Sequence, residues 1–428
     1  MDTITHGIAG ALIGKALFRG QDMFAARPMN RGRILTWSLM LGAIFPDSDG
    51  LRDFFSSDKL LIVTWHRSIT HSLLMLPLWA LLLAAITQWF AKGQEWRGPM
   101  AVAISKIIGL GILSGVIRRW LADKQEWAAP SFPALAGIYA VGIVSHILLD
   151  LVTSFGTMIW SPLEWSRPAW DLIFIVDLTL TAIVLVPQLL AWVYAHPEKV
   201  RQRAIGTWLV FLPAPFLSAR IGEGAGAPIS GRVVLGAMLI FAVLFLLPAV
   251  LGWGVRIRHD TWNRAGFAAA LIYVACTIYA HHVALLRIQK FAELYPLQAE
   301  SIGALPLPPS LWRWDGLVRT DHGVYELRMD LADKPASDGE LVAREHHYFP
   351  EAPANPYIEV AKRLPEVQKV LRFSRFPVTR FHKEGDVAVV EIADIRFVKT
   401  RRDRPAPFTY RVRFSLDGNI LSQGWVTR

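Results

Sequence analysis

The chain has 428 residues, 53 % of them apolar and only 19 % charged, with 17 tryptophans and a net charge of +10. Soluble domains carry about 25 % charged residues, and this balance excludes disorder, collagen and coiled coil. Several apolar runs approach the roughly 20 residues that cross a bilayer. The fold class expected is therefore a mainly α polytopic membrane domain with a C-terminal soluble α+β domain. Net positive charge can signal nucleic acid, but here it sits in loops between apolar runs while the tail is nearly balanced, so topology accounts for it and no nucleic-acid partner is expected. The single cysteine, Cys276, lies in an apolar run, which gives no disulfide framework and no thiolate metal site. Asp2 stands where a basic n-region would begin, so no cleavable signal is expected.

In chain order, a short apolar helix is predicted over 3–18, followed by a loop over 19–33 with Arg19, Arg27, Arg31 and Arg33. A second short apolar segment, 34–46, ends at Pro46, and a polar loop runs from Asp47 to His71. Long apolar runs cover 72–91, 100–117, 133–153, 172–195, 233–254 and 265–288, and the weaker 205–219 is broken by Pro213 and Pro215. The Leu-Pro-Leu-Pro-Pro stretch at 305–309 reads as a linker. Beyond it, strands are predicted at 323–331, 340–349, 386–398 and 407–415, and a helix at 357–371. This divides the chain into a metal-site membrane domain (1–195), additional transmembrane helices (196–300) and a soluble α+β domain (301–428).

The polar residues of the first half are few and clustered. They are His6, Asp47 and Asp49, His66 and His71, and His146 with Asp150. Imidazole with carboxylate suits a divalent cation, zinc first, with manganese or iron as alternatives. His146 and Asp150 are four apart in an apolar helix and share one face. Ionisable residues inside a membrane helix are expensive and mark function by default. Asp150 also opposes the helix dipole at a C-terminus, and a cation would offset both effects. Asp47 and Asp49, two apart after a proline, can turn toward one ion.

Topology tests whether the groups can meet. If helix 3–18 starts on the site's side, loop 19–33 lies opposite, Pro46–Asp47 returns, helix 72–91 leaves and 133–153 comes back to Asp150. The connection 92–132 then lies opposite, with Lys92, Arg97, Lys106, Arg118, Arg119 and Lys124. Both opposite segments are basic, hence cytoplasmic, and the site faces outward. This parity requires 100–117 to be re-entrant, interfacial or folded back. The basic loops 196–204 and 255–264 fall on the inner side if 205–219 and 233–254 both cross, which leaves the C-terminal domain outside.

These motifs resemble the YdjM/DUF457 family of membrane-bound, metal-dependent hydrolases. The matching residues are Thr5-His6-Gly7, Pro46-Asp47-Ser48-Asp49, His66-Arg67 with Thr70-His71-Ser72, and His146-x-x-x-Asp150 with Thr153 and Gly156. The resemblance covers about residues 1–180 and implies an inner-membrane enzyme without naming a substrate. Ser68 stands where members often have glycine. The tail resembles the C-terminal extension of longer members. A more distant likeness, in the order His, Asp, His, His-x-x-x-Asp, is to zinc-dependent phospholipase C and P1-type nucleases, whose further His-x-x-x-Glu pair has no clear counterpart.

The expectation is an integral-membrane hydrolase in which one or two metals bind His6, Asp47, Asp49, His66, His71, His146 and Asp150. The metal lowers the pKa of bound water toward neutrality. Asp47 or Asp49 is the candidate general base, and Arg67 holds an anionic group. Thr3, Thr70, Thr153 and Asp171 are candidates to orient ligands, and Asp177 is a partner in the next helix. A site at the membrane surface suggests membrane lipids as partners and a lipid-linked phosphate ester as substrate, with amide or ester hydrolysis open and protein partners unspecified. Two other classes stay open: an ion- or proton-coupled transporter, although no repeat halves are visible, and a non-catalytic metal-stabilised scaffold, which would lack an open metal position. His281–His282 and His346–His347 point apart by helix and strand geometry. Trp160 and Trp165 read as interfacial belt residues.

Overall fold

Asp2 starts the first helix by accepting the backbone N–H of Thr5 at 2.9 Å, as an N-cap carboxylate does. The computed structural model describes residues 1–18, 30–52, 56, 60–93, 128–224, 228–333, 346–397 and 407–426. Helix α1 covers Thr3–Leu17, and α2, capped by Asn30, covers Arg31–Ile44. A 3-10 turn, Phe45–Gly50, follows directly and is opened by Pro46, which has no N–H to leave unpaired there. The short α3 (Leu61–Thr64) and a 3-10 turn at Ile69–His71 lead into α4, Leu76–Lys92. Helices α5 (Phe132–Leu151), α6 (Leu178–Val193), α7 (Val200–Phe211), α8 (Ala214–Gly224), α9 (Gly231–Val250) and α10 (His259–Leu294) complete the helical half.

Small residues decide how these helices meet. A methyl group on Gly142 of α5 would lie 2.6 Å from the Leu39 carbonyl of α2, and one on Gly42 would lie 2.9 Å from the Tyr139 carbonyl. In lipid, whose tails are as apolar as leucine, such close backbone approach drives helix association. The row α4–α5–α2–α1 continues from α1 to α6 and α10. Among the described helices, α5, the stretch 197–223, α9 and α10 are long and apolar enough to cross a membrane, and 61–71 with 76–92, bent by 70°, forms a candidate fifth span. The stretch 197–223 includes the predicted weak segment 205–219, with Pro213 between α7 and α8.

Helix α10 has 36 residues, about 54 Å at the α-helical rise and well beyond a bilayer core. Its last turns leave the bundle: Ala280, Ala284, Ile288 and Phe291 pack on Trp314, Val318 and Leu327. Those three belong to an antiparallel sheet of β1 (Ser301–Leu307), β2 (Arg313–Thr320), β3 (Gly323–Asp330) and β4 (His346–Pro350), in sequential order. The stretch 305–309 is therefore not simply a linker: Leu305 and Leu307 pair with Asp315 and Arg313. A second antiparallel sheet, β5 (Pro377–Glu384), β6 (Val387–Asp394), β7 (Thr409–Ser415) and β8 (Ile420–Trp425), has the same sequential order. Before it, the helix predicted at 357–371 is split into α11 (Pro356–Arg363) and α12 (Pro365–Phe373). Pro365 holds Leu364 extended, because the residue before proline avoids the helical region.

The tail is seated on the helical half. The core of the second sheet takes in Leu60, Val63 and Phe155. Arg375 makes a two-pronged pair with Asp171 (3.0 and 2.8 Å), and Arg396 donates to the Ser154 carbonyl (2.7 Å). These contacts place the C-terminal domain at the end of the bundle where α5 reaches Asp150. The expectations for 100–117, for Arg19, Arg27, Arg97, Lys106, Arg118, Arg119 and Lys124, and for 340–345 lie outside the described residues.

Candidate metal centre

The Gly42–Gly142 contact sets His146, one turn beyond Gly142, against the end of α2. There His146 Nδ1 is 2.7 Å from the Ala43 carbonyl. A carbonyl only accepts, so Nδ1 carries hydrogen and Nε2 is turned inward as a possible ligand. His71 is fixed the same way, with Nδ1 3.1 Å from Thr70 Oγ1 and 3.5 Å from Asp49 Oδ2. The two Nε2 atoms face each other at 3.0 Å. His146 Nε2 lies 3.4 Å from both Asp47 Oδ1 and Asp150 Oδ2, and His71 Nε2 lies 3.8 and 3.2 Å from the same two atoms. Ligands 2.0–2.1 Å from a tetrahedral ion stand about 3.3 Å apart, so these four side chains are spaced for one divalent cation. His71, His146 and Asp150 are buried, and Asp47 is partly exposed.

The chemistry of the donors agrees with that spacing. Asp150 Oδ1 is met by the Met1 α-amino group, Arg67 Nη2 at 2.9 Å and His6 Nε2 at 3.2 Å. Asp150 Oδ2 is buried without a hydrogen bond, and an orphaned buried oxygen asks for an explanation. A cation between it and the two imidazoles supplies one.

Four of the seven expected ligands thus converge, and the other three surround them. His6 stacks on His146, with ring centres 3.6 Å apart. Asp49 accepts from the Arg67 backbone N–H (2.8 Å) and contacts His66 Nδ1 (3.2 Å), so it lies behind His71. His66 is set edge-on to His71 and Phe155. Thr3 donates to Asp47 Oδ2 at 2.6 Å. Arg67, expected to hold an anion, is buried, paired with Asp150 and bonded to Thr153 (3.0 Å). Its φ of +59° is unusual for a residue with a side chain. Its N–H to Asp49 and its carbonyl, which accepts from Met158 at 2.9 Å, hold it there.

One expectation is corrected and one is met, since Asp177 is a buried partner at the next helix. Asp171 pairs with Arg375 rather than orienting a ligand. Asp177 caps α6 and accepts from Tyr273 (2.7 Å) and Ser310. His281 lies beside Trp314, and His346 beside Phe291 and Tyr295. A residue without any sequence signal is Arg167, which is half-buried over Phe155 and donates to the His66 carbonyl at 2.8 Å. Burial, with the charges of Arg67 and Arg396, pushes its guanidinium down to about 9. Burial opposes ionisation of Asp47, but the bond and charge of His146, the charge of His6 and the Thr3 hydroxyl hold it below the usual carboxylate range. Asp49 is held low in the same way by His66, His71 and the Arg67 N–H, against its own burial. Gly156 has φ +84°, and a side chain there would lie 2.9 Å from the Arg167 carbonyl, so glycine lets the chain double back after Asp150.

A family model described as YdjM inner membrane protein matches residues 1–224. The chain belongs to this family. The match extends past the motifs at 1–180, includes all seven expected ligands and ends with α8. The two-sheet domain lies beyond it. As a YdjM-family member the chain is an inner-membrane protein, in keeping with its candidate spans. No curated protein and no solved structure matches it.

Proposed function

We propose that this is an integral-membrane, metal-dependent hydrolase acting on a phosphate ester carried by a lipid. The observation that carries the reading is the convergence of Asp47, His71, His146 and Asp150, three buried and one at an accessible edge. His71, His146 and Asp150 would hold the ion, zinc by ligand type, and Asp47 would border the open position that a catalytic site keeps. When bound, the metal supplies Lewis acidity and brings a water toward ionisation near neutral pH. Asp47, kept ionised, accepts the proton of the attacking water. The new bond is oxygen to phosphorus, the ester P–O bond breaks, and the alcohol leaves with a proton. Arg67 stabilises the charge of Asp150, and Asp49 with Thr70 orients His71.

Chain direction supports an outward-facing site. His6, Asp47, His71 and Asp150 lie at one end of the bundle. Arg31, Arg33, Lys92, Lys199, Arg201, Arg203 and Arg256 belong to helix ends and loops at the other. By the positive-inside rule the basic end is cytoplasmic. Trp160, Leu163, Trp165 and Trp170 are exposed near the site, as suits the headgroup layer.

The test is metal content of detergent-purified protein by mass spectrometry, for wild type beside His146→Ala and Asp150→Ala. One equivalent of metal, lost in both variants while the fold survives, is expected, followed by phosphate release from phosphatidic acid. A metal-free wild type after reconstitution with zinc, manganese and iron would overturn the reading.

A further inference from the structure

A cavity lies beside the metal cluster rather than at it. It has a volume of about 930 Å³ and a lining that is overwhelmingly apolar, within the size range of small-molecule sites. Its floor is one face of α1, including Ile4, Ile8 and Ala11. Its walls are Met40 and Ile44 of α2 and Leu185 and Leu189 of α6. The cavity extends along α1 from Thr3 to Lys15, about 18 Å at the helical rise, more than half the hydrocarbon core of a bilayer. Gln188 donates to the Ile8 carbonyl (2.9 Å) and pins α6 to α1 beneath it.

The ends of the cavity differ from its middle. At one end Thr3 is both a lining residue and the donor to Asp47 Oδ2. Asp47 is the one member of the four that is not fully buried. A single hydrogen bond therefore separates that end of the cavity from the accessible edge of the cluster. At the far end the lining turns polar, with Lys15, His196 and His259. A long apolar trough that starts beside a carboxylate–imidazole cluster, in an inner-membrane protein, matches an amphiphile: one hydrocarbon chain in the trough and a phosphate head at Asp47.

We infer that the trough between α2 and α6 is the seat of a hydrocarbon chain of the lipid whose head group reaches the metal cluster. The inference deepens the hydrolase reading and rests on it for the head group alone. Ile4, 72 % exposed at the mouth, is the residue that a chain must pass.

The experiment uses the full chain in nanodiscs of phosphatidylethanolamine and phosphatidylglycerol. The probe is phosphatidic acid with a diazirine at the end of one acyl chain, and peptide mapping follows irradiation. The expected result is labelling of 3–15, 40–44 and 185–195 at least fivefold above α9, whose Leu235, Leu239 and Val243 also face outward. Ala11→Leu, which fills the floor, should cut trough labelling at least fivefold. Ile4→Trp, at an exposed position that folding does not use, should do the same, and both variants should keep their metal. Labelling of the trough no stronger than that of α9, or labelling unchanged in both variants, overturns the inference. Metal content is read on the same samples. Metal without trough labelling removes this inference and leaves the hydrolase reading, whereas trough labelling without metal does the reverse.

Discussion

His71 and His146 turn their Nε2 atoms toward each other at 3.0 Å because each has its Nδ1 engaged elsewhere, one by Thr70 and Asp49, the other by the Ala43 carbonyl. Two imidazole lone pairs at that distance repel unless a proton or a cation lies between them. Replacing either histidine with alanine is expected to remove stoichiometric metal, measured by mass spectrometry. Chelation should lower the thermal stability of the wild type, and restoring free metal to 100 times its Kd should return about 2.7 kcal/mol. Equal melting with and without metal would sink the site.

Variants of Asp47 and Asp49 test the hydrolase reading against a purely structural site. Asp47→Asn should retain the ion and lose 10²–10⁴-fold in phosphate-ester hydrolysis, the usual range for a general base. Asp49→Asn should weaken metal affinity about 10–100-fold by releasing His71, with turnover recovering at saturating metal. Loss of all metal in Asp47→Asn would instead indicate a closed, structural site.

Gly142 and Gly137 lie on the same helix in different surroundings. Gly142→Leu must push into the backbone of α2, where its Cβ would already lie 2.6 Å from the Leu39 carbonyl. It should cost about 3 kcal/mol or more and dislodge His146 from Ala43. Gly137→Leu, with nothing within 4 Å of the added Cβ, should leave stability and metal content unchanged. Size-exclusion profile and metal content of the two variants check this.

The C-terminal domain is expected to show its own pH dependence. Glu326 and Asp315 lie on adjoining strands β3 and β2, beside Arg328. Burial first, then the charge of Asp315, pushes Glu326 up to about 7, with Arg328 opposing. Burial pushes Asp315 up to about 6, against Arg328. A raised acid contributes stability that is full below its unfolded pKa, near 4, and is lost as pH rises through 6 to 7. Glu326→Gln should therefore stabilise the domain by about 1–3 kcal/mol at pH 8 and by little at pH 4. Melting curves at the two pH values decide it, and an equal shift at both would be the contrary result.

How much was legible in the sequence depends on the range of the signal. The motif residues His6, Asp47, Asp49, His66, His71, His146 and Asp150 stood out because ionisable groups at the ends of apolar helices are rare. The i,i+4 spacing alone put His146 and Asp150 on one face. Composition announced the membrane half, and alternation announced β3, β6 and β7. The strand β1 was obscured by the prolines of 305–309, and β5, with Arg380, His382 and Lys383, by its charges. Neither strand shows its pattern until its partner is in place.

The sequence by itself determined the class of protein, the kind of ion its polar residues suit and the inventory of candidate ligands, because residue type and spacing are local properties. Only the tertiary structure decided that four candidate ligands converge while Asp49 and His66 stand behind His71, and that Asp171 belongs to Arg375. It also decided that the C-terminal domain lies at the cluster's end of the bundle. Those outcomes depend on how closely two backbones approach at Gly42 and Gly142, and on which carbonyl or carboxylate lies across the gap. Contacts between residues a hundred positions apart leave no mark on local pattern.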